Sequence, residues 1–125
     1  MQLLEKVVVL EQAADAFGFR WENTDQIMAQ IHSECEEIQE HLKSPHSLNT
    51  DDLQEEIGDL MHAVFSLCVF CKLSPEITLE QTLNKFERRL NAVKQIAANQ
   101  GQHNLSGLSF DSLMKIWDEA KKIVG

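Results

Sequence analysis

The stretch TDDLQEEIGDLMHAVFSLCVFC, residues 50–71, changes character halfway along. Up to Asp59 it reads as an amphipathic helix rich in acids, and from Leu60 to Cys71 it is apolar nearly all round. A helix without a polar face has to be covered on several sides, by its own bundle or by another subunit. A chain of 125 residues is long enough to bury a core as one domain. With 5 Gly, 2 Pro and no Tyr, its composition suits helices better than a sheet with many turns.

The rest of the chain carries the same helical period. Leu3, Leu4, Val7, Val8 and Ala14 define a first helix, with Gly18 placed to end it. FRWENTD follows as a loop in which Asn23 or Thr24 serves as an N-cap. Ile27, Ile31, Ile38 and Leu42 form one stripe of a second helix, which runs to about Lys43. KSPHSLNT breaks the pattern around Pro45, and Thr50 is the expected cap of the third helix. Leu73-Ser74-Pro75 interrupts again. A fourth helix is then predicted from about Thr78 to Ala98, where Thr78 and Gln81 fit a capping box. Ser109 opens a last helix through FDSLMKIWDEAKKIV. With no strand alternation, repeat or linker, the reading is all-α: a four-helix-bundle-like single domain over residues 1–125, with a short fifth helix.

Composition narrows the function. A net charge of −9 makes a nucleic-acid backbone an unsuitable partner, because phosphates repel an acidic surface. No apolar run reaches the roughly 20 residues of a membrane span, and MQLLEKVVVLEQ lacks the pattern of a signal peptide. Cys35, Cys68 and Cys71 are an odd set without a disulfide framework. The last two sit in an apolar run and are expected to be buried core thiols in a reducing, cytoplasmic setting.

The acids are the unusual feature. On a helical wheel Glu34 falls about 60° and Glu37 about 120° from Ile31, both to one side of the second helix's stripe. Glu36 and Glu40 face away from it, toward solvent. Glu56 and Asp59 form a second pair, one turn apart, on the third helix, with Glu55 turned further away. Helices joined by a short loop are usually antiparallel, so the two pairs would converge. Four ionised carboxylates in a partly buried site repel, and hard divalent cations resolve that repulsion; oxygen-only ligands suit Mg²⁺ or Mn²⁺. Taken alone, the acid pattern is more simply a solvated helix face. A di-iron carboxylate bundle would need two Glu-x-x-His units, and only Asp59-Leu-Met-His62 comes near one.

Cations answer the acids later in the chain. Lys85 and Arg89 stand i, i+4 in KFERR, and Trp117 and Lys121 stand i, i+4 in WDEAK. Basic side chains facing a metal-loaded acidic site are what a polyphosphate requires, although the same spacing also describes surface salt bridging around a core Trp117.

These segments resemble one family. E34-C-E-E37 followed after 18 residues by E56-I-G-D59 is similar to the Glu-x-x-Glu…Glu-x-x-Asp signature of MazG-type nucleotide pyrophosphohydrolases. EEIGDLMHAVFSL, NKFERRLNAV and LMKIWDEAK resemble further family segments in the family's order, over roughly residues 21–122. The resemblance implies an all-α, dimer-based enzyme that hydrolyses nucleoside triphosphates, ribo or deoxy, to monophosphate and pyrophosphate with Mg²⁺, in house-cleaning of nucleotide pools. It implies metal ligation by Glu34, Glu37, Glu56 and Asp59, with Glu37 and Glu56 as catalytic carboxylates. Lys85, Arg89, Trp117, Lys121 and Trp21 would contact substrate, the cations at phosphates and Trp21 near the base. The expected assembly is a homodimer or a dimer of dimers. The contrasting expectation is a non-catalytic helical module that binds nucleotides or another protein.

Overall fold

The computed structural model describes residues 1–44 and 50–125. Among the described residues there are five α-helices and no strand: α1 (Leu3–Phe17), α2 (Thr24–Lys43), α3 (Thr50–Phe70), α4 (Pro75–Asn99) and α5 (Phe110–Val124). The all-α expectation holds. The fifth helix, at 15 residues, is as long as the first. Among the described residues, no single helix is long and apolar enough to cross a membrane.

Local chemistry explains several of the helix ends. Gly18 takes a left-handed φ of 95°, and its N–H and that of Phe19 close on the carbonyls of Asp15 and Ala14. Asn23 accepts from the Gln26 N–H at 3.0 Å and opens α2. Ser109 does the same for α5, accepting from the Ser112 N–H at 3.2 Å.

Two predicted starts are corrected. The fourth helix begins at Pro75 rather than Thr78, because Ser74 Oγ accepts from the Ile77 N–H at 3.2 Å and proline is well suited to a first helical position. The Leu73-Ser74-Pro75 break is thus itself the cap. Thr50 is already helical, not a cap, and the breaker around Pro45 falls largely outside the described residues.

The chain forms two compact units, Met1–Thr78 and Leu79–Gly125. In the first, α3 packs against both α2 and α1. Ile27 and Ala63 are buried there, together with two polar residues, Glu34 and Ser66. Ser66 Oγ donates to Glu11 Oε1 at 2.7 Å, and the His62 ring Nε2 lies 2.7 Å from the same oxygen, so a polar knot joins α1 to α3. The second unit is built on Ile96, Ile116 and Ala120, with Ala92, Val93, Leu105 and Leu108 packed against them.

Much apolar surface stays open. Leu3, Phe17 and Phe19 are exposed at one end of the chain. Met61, Val64 and Phe70 are exposed on the apolar half of α3. The predicted stripe of α2 is likewise buried at Ile27 but open at Leu42. The expectation of buried thiols is corrected in part: Cys68 is half-buried, whereas Cys71, at the end of the uncovered stretch, is exposed.

Candidate functional site

The first acidic pair lies on α2, one turn apart. Glu34 is 7% exposed, on the edge of the stripe that Ile27 and Ile31 direct inward, while Glu37 projects outward. Glu36 and Glu40 are exposed on the solvent side, as the helical wheel requires. On α3, Glu56 is half-buried and Asp59 exposed. His41, near the end of α2, meets Glu56, near the start of α3, with its Nδ1 3.4 Å from Glu56 Oε2. Contact between the end of one helix and the start of the next is that of an antiparallel pair, and it carries the two acidic pairs toward each other.

Their electrostatics record the meeting. The Glu37 carboxyl is pushed above the ordinary carboxylate range, first by the charge of Glu34 and then by burial. The charge of Glu56, hydrogen bonding with Glu34, and the charge of Asp59 add to the same shift. Glu34, Glu56 and Asp59 are thus all within electrostatic reach of Glu37.

Two oxygens stand out within it. Glu34 Oε1 accepts from Gln30 Nε2 at 2.7 Å, but Glu34 Oε2 is buried without a hydrogen-bond partner. Glu56 Oε2 is buried too, and the His41 nitrogen beside it falls outside hydrogen-bonding geometry. A buried carboxylate oxygen lacking a donor is costly unless something positive meets it. Among the described residues, no group of three or more His, Cys, Asp or Glu side chains is placed so as to hold a metal ion. The arrangement is two open oxygens beside two more exposed carboxylates, a donor set that fits a hard, oxygen-seeking cation and not zinc.

Trp21, half-buried, lies in the same unit, in the loop that leads to the Asn23 cap. The predicted cations belong to the second unit. Arg89 Nε donates to the Gly125 carbonyl at 2.9 Å, and the guanidinium lies 5.6 Å from the centre of the Trp117 ring. Lys121 is half-buried, 3.4 Å from Asp118. Lys85 is exposed and lines a shallow 440 Å³ depression with Gln81, Thr82, Asn84 and Arg88, not with Arg89. A 540 Å³ groove between α4 and α5 is lined by Ile96, Ile123 and Val124 beneath a rim of amides, and it includes none of the predicted site residues.

Sequence reasoning missed Gln30 and His41. Gln30 stands four residues before Glu34, a spacing at which helical side chains meet, so its bond could have been found. His41 stands four residues after Glu37, but its approach to Glu56 depends on how α2 and α3 pack.

Residues 22–94 match the model of the MazG nucleotide pyrophosphohydrolase domain. The chain is 27% identical over 105 residues to a nucleoside triphosphate pyrophosphohydrolase of Escherichia coli (strain K12), covering 84% of this chain and 39% of that protein. It is 28% identical over 112 residues to the nucleoside triphosphate pyrophosphohydrolase/pyrophosphatase MazG of Thermotoga maritima, covering 90% of this chain and 41% of the relative. An uncharacterised Bacillus subtilis (strain 168) protein, YabN, is 34% identical over 80 residues, 64% of this chain and 16% of its own length. The chain thus spans about two fifths of the two named pyrophosphohydrolases. With a matched segment that takes in both acidic pairs, Lys85 and Arg89, the chain belongs to the MazG nucleotide pyrophosphohydrolase domain family.

Proposed function

We propose that residues 1–125 act as one Mg²⁺-dependent nucleoside triphosphate pyrophosphohydrolase domain, converting a ribo- or deoxynucleoside triphosphate and water to the monophosphate and pyrophosphate. The observation that carries this reading is geometric: His41 of α2 meets Glu56 of α3, and Glu34 and Glu56 each keep a buried carboxylate oxygen without a hydrogen-bond partner; the raised proton affinity of Glu37 agrees with it. Four carboxylates that repel one another, two of them with an open buried oxygen, suit a site that is complete only with a cation.

In this reading Glu34, Glu37, Glu56 and Asp59 hold Mg²⁺, with Mn²⁺ as a substitute. The metal supplies charge neutralisation and Lewis-acid activation for phosphoryl transfer. Gln30 orients the Glu34 carboxylate, so that its second oxygen stays available. Lys85, Arg89 and Lys121 neutralise phosphate charge, which grows on the leaving oxygen as water forms a new P–O bond and a P–O bond of the α–β linkage breaks. Trp21 is assigned to the base and Trp117 to the substrate-binding group.

The role we assign is house-cleaning of nucleotide pools in the cytoplasm, by a homodimer or a dimer of dimers. Support for the dimer comes from α3, where Met61, Val64 and Phe70 leave an apolar face that water covers poorly. Pyrophosphate release from a panel of nucleoside triphosphates with Mg²⁺ tests the activity. Release by the parent that disappears in Glu37→Ala and Asp59→Ala supports the reading, whereas equal release from all three removes it.

A further inference from the structure

Arg89 is held differently from the cations near it. Its Nε donates to the Gly125 carbonyl at 2.9 Å. Its guanidinium carbon stands 5.6 Å from the centroid of the Trp117 ring. Trp117 in turn lies against Phe86, with ring centroids 5.9 Å apart and planes tilted by 50°. Phe86 sits on α4, one turn before Arg89, so the indole meets two successive turns of the same helix. Lys85 and Arg88, by contrast, are exposed side chains.

The consequence is a guanidinium with a fixed plane and, among the described residues, most of its donors unspent. The carbonyl takes one of the five N–H groups, and the ring face takes none. The two Nη groups, four N–H donors in a rigid fork, are the part of an arginine that matches phosphate oxygens. Fixing the plane beforehand reduces the side-chain freedom lost when an anion binds. The indole face also favours the cation electrostatically without competing for its hydrogen bonds.

We propose that Trp117, braced by Phe86, is a positioning residue that holds the Arg89 guanidinium ready for substrate phosphate, rather than a surface on which the nucleobase stacks. This rests on the phosphate role given to Arg89 above.

The test is calorimetric titration of the full chain with inorganic tripolyphosphate in the presence of Mg²⁺, a probe that has the phosphates and no base. Arg89→Met and Trp117→Leu are each expected to weaken binding about fivefold, the size of a cation–π contact and the fork it orients. Their double variant should be no weaker than Arg89→Met alone, since Trp117 acts through Arg89. Trp117→Phe, which keeps an aromatic face, should retain affinity within about twofold.

Wild-type affinity in a folded Trp117→Leu overturns the proposal, as do losses that add in the double variant. So does a Trp117→Leu loss seen with a nucleoside triphosphate but absent with tripolyphosphate. Should Trp117→Leu fail to fold by circular dichroism, folded Phe86→Leu replaces it: weakened binding that vanishes in the Arg89→Met background supports bracing, and wild-type binding overturns it. Undiminished binding by Arg89→Met removes the phosphate role itself and the positioning role with it, an outcome separate from the failure of Trp117 alone.

Discussion

Glu34 is the largest single cause of the raised proton affinity of Glu37, one turn further along α2. The sign of that shift fixes a pH dependence. A carboxyl whose affinity for protons is higher in the folded chain than in the unfolded one favours folding when protonated. It costs stability as pH rises through the ordinary carboxylate value toward the raised one.

Metal-free Glu37→Gln should therefore be more stable than the parent at neutral pH. The advantage should shrink as pH falls through the carboxylate range, where the parent Glu37 is protonated as well. Thermal melts at several pH values in chelator check this. With saturating Mg²⁺ the order should reverse, because a cation that binds only the folded parent stabilises it by mass action. A variant less stable than the parent at neutral pH without metal would show that Glu34 and Glu37 do not repel there.

Gln30 supports the same pair from one turn earlier. Its Nε2 is the donor to Glu34 Oε1, and its removal frees a buried carboxylate to turn away from the site. Gln30→Ala should raise the Mg²⁺ concentration needed for half-maximal thermal stabilisation by about tenfold, the usual cost of losing a partner that orients a metal ligand. An unchanged midpoint would reduce Gln30 to an ordinary surface amide.

The knot between α1 and α3 gives a prediction about stability alone. Ser66 is 3% exposed, and its hydroxyl donates to a carboxylate that also meets His62. Ser66→Ala should cost about 1.5–3 kcal/mol in urea denaturation, the range for a hydrogen bond to a charged group. In a Glu11→Ala background the same substitution should cost much less, because the acceptor is already gone.

For the apolar face of α3 the observable is mass. Light scattering should give a dimer or a multiple of one for the parent. Val64→Glu, which puts a charge at an exposed apolar position, should lower that mass while circular dichroism stays helical. A folded parent that is monodisperse as a monomer would contradict the assembly.

Much of this was legible in the sequence because helices are local. Asn23, Ser109 and Gly18 mark helix ends through bonds to residues three or four positions away, and the helix ends expected at all three positions form. The wheel also placed Glu34 at the edge of a buried stripe and Glu36 and Glu40 outside it, which their burial follows. The start of α4 departs from the expected Thr78 because Pro75 is no barrier there: at a helix's first position proline has no N–H to leave unpaired. Contacts across long separations left no trace in the pattern. Glu11 finds Ser66 at 55 residues' distance, and Arg89 finds Gly125 at 36. Both depend on helix packing, which periodicity does not encode. Apolar neighbours predict a buried Cys71, yet the thiol is exposed.

The claim on which the chemistry stands is that the two acidic pairs form one cation site. Electron paramagnetic resonance of Mn²⁺ added to the full chain measures it most directly, because free and bound ion give separate signals. Binding by the parent that weakens by about tenfold or more in each of Glu34→Gln, Glu37→Gln, Glu56→Gln and Asp59→Asn is the expected result. Equal Mn²⁺ binding by the parent and all four variants would contradict it.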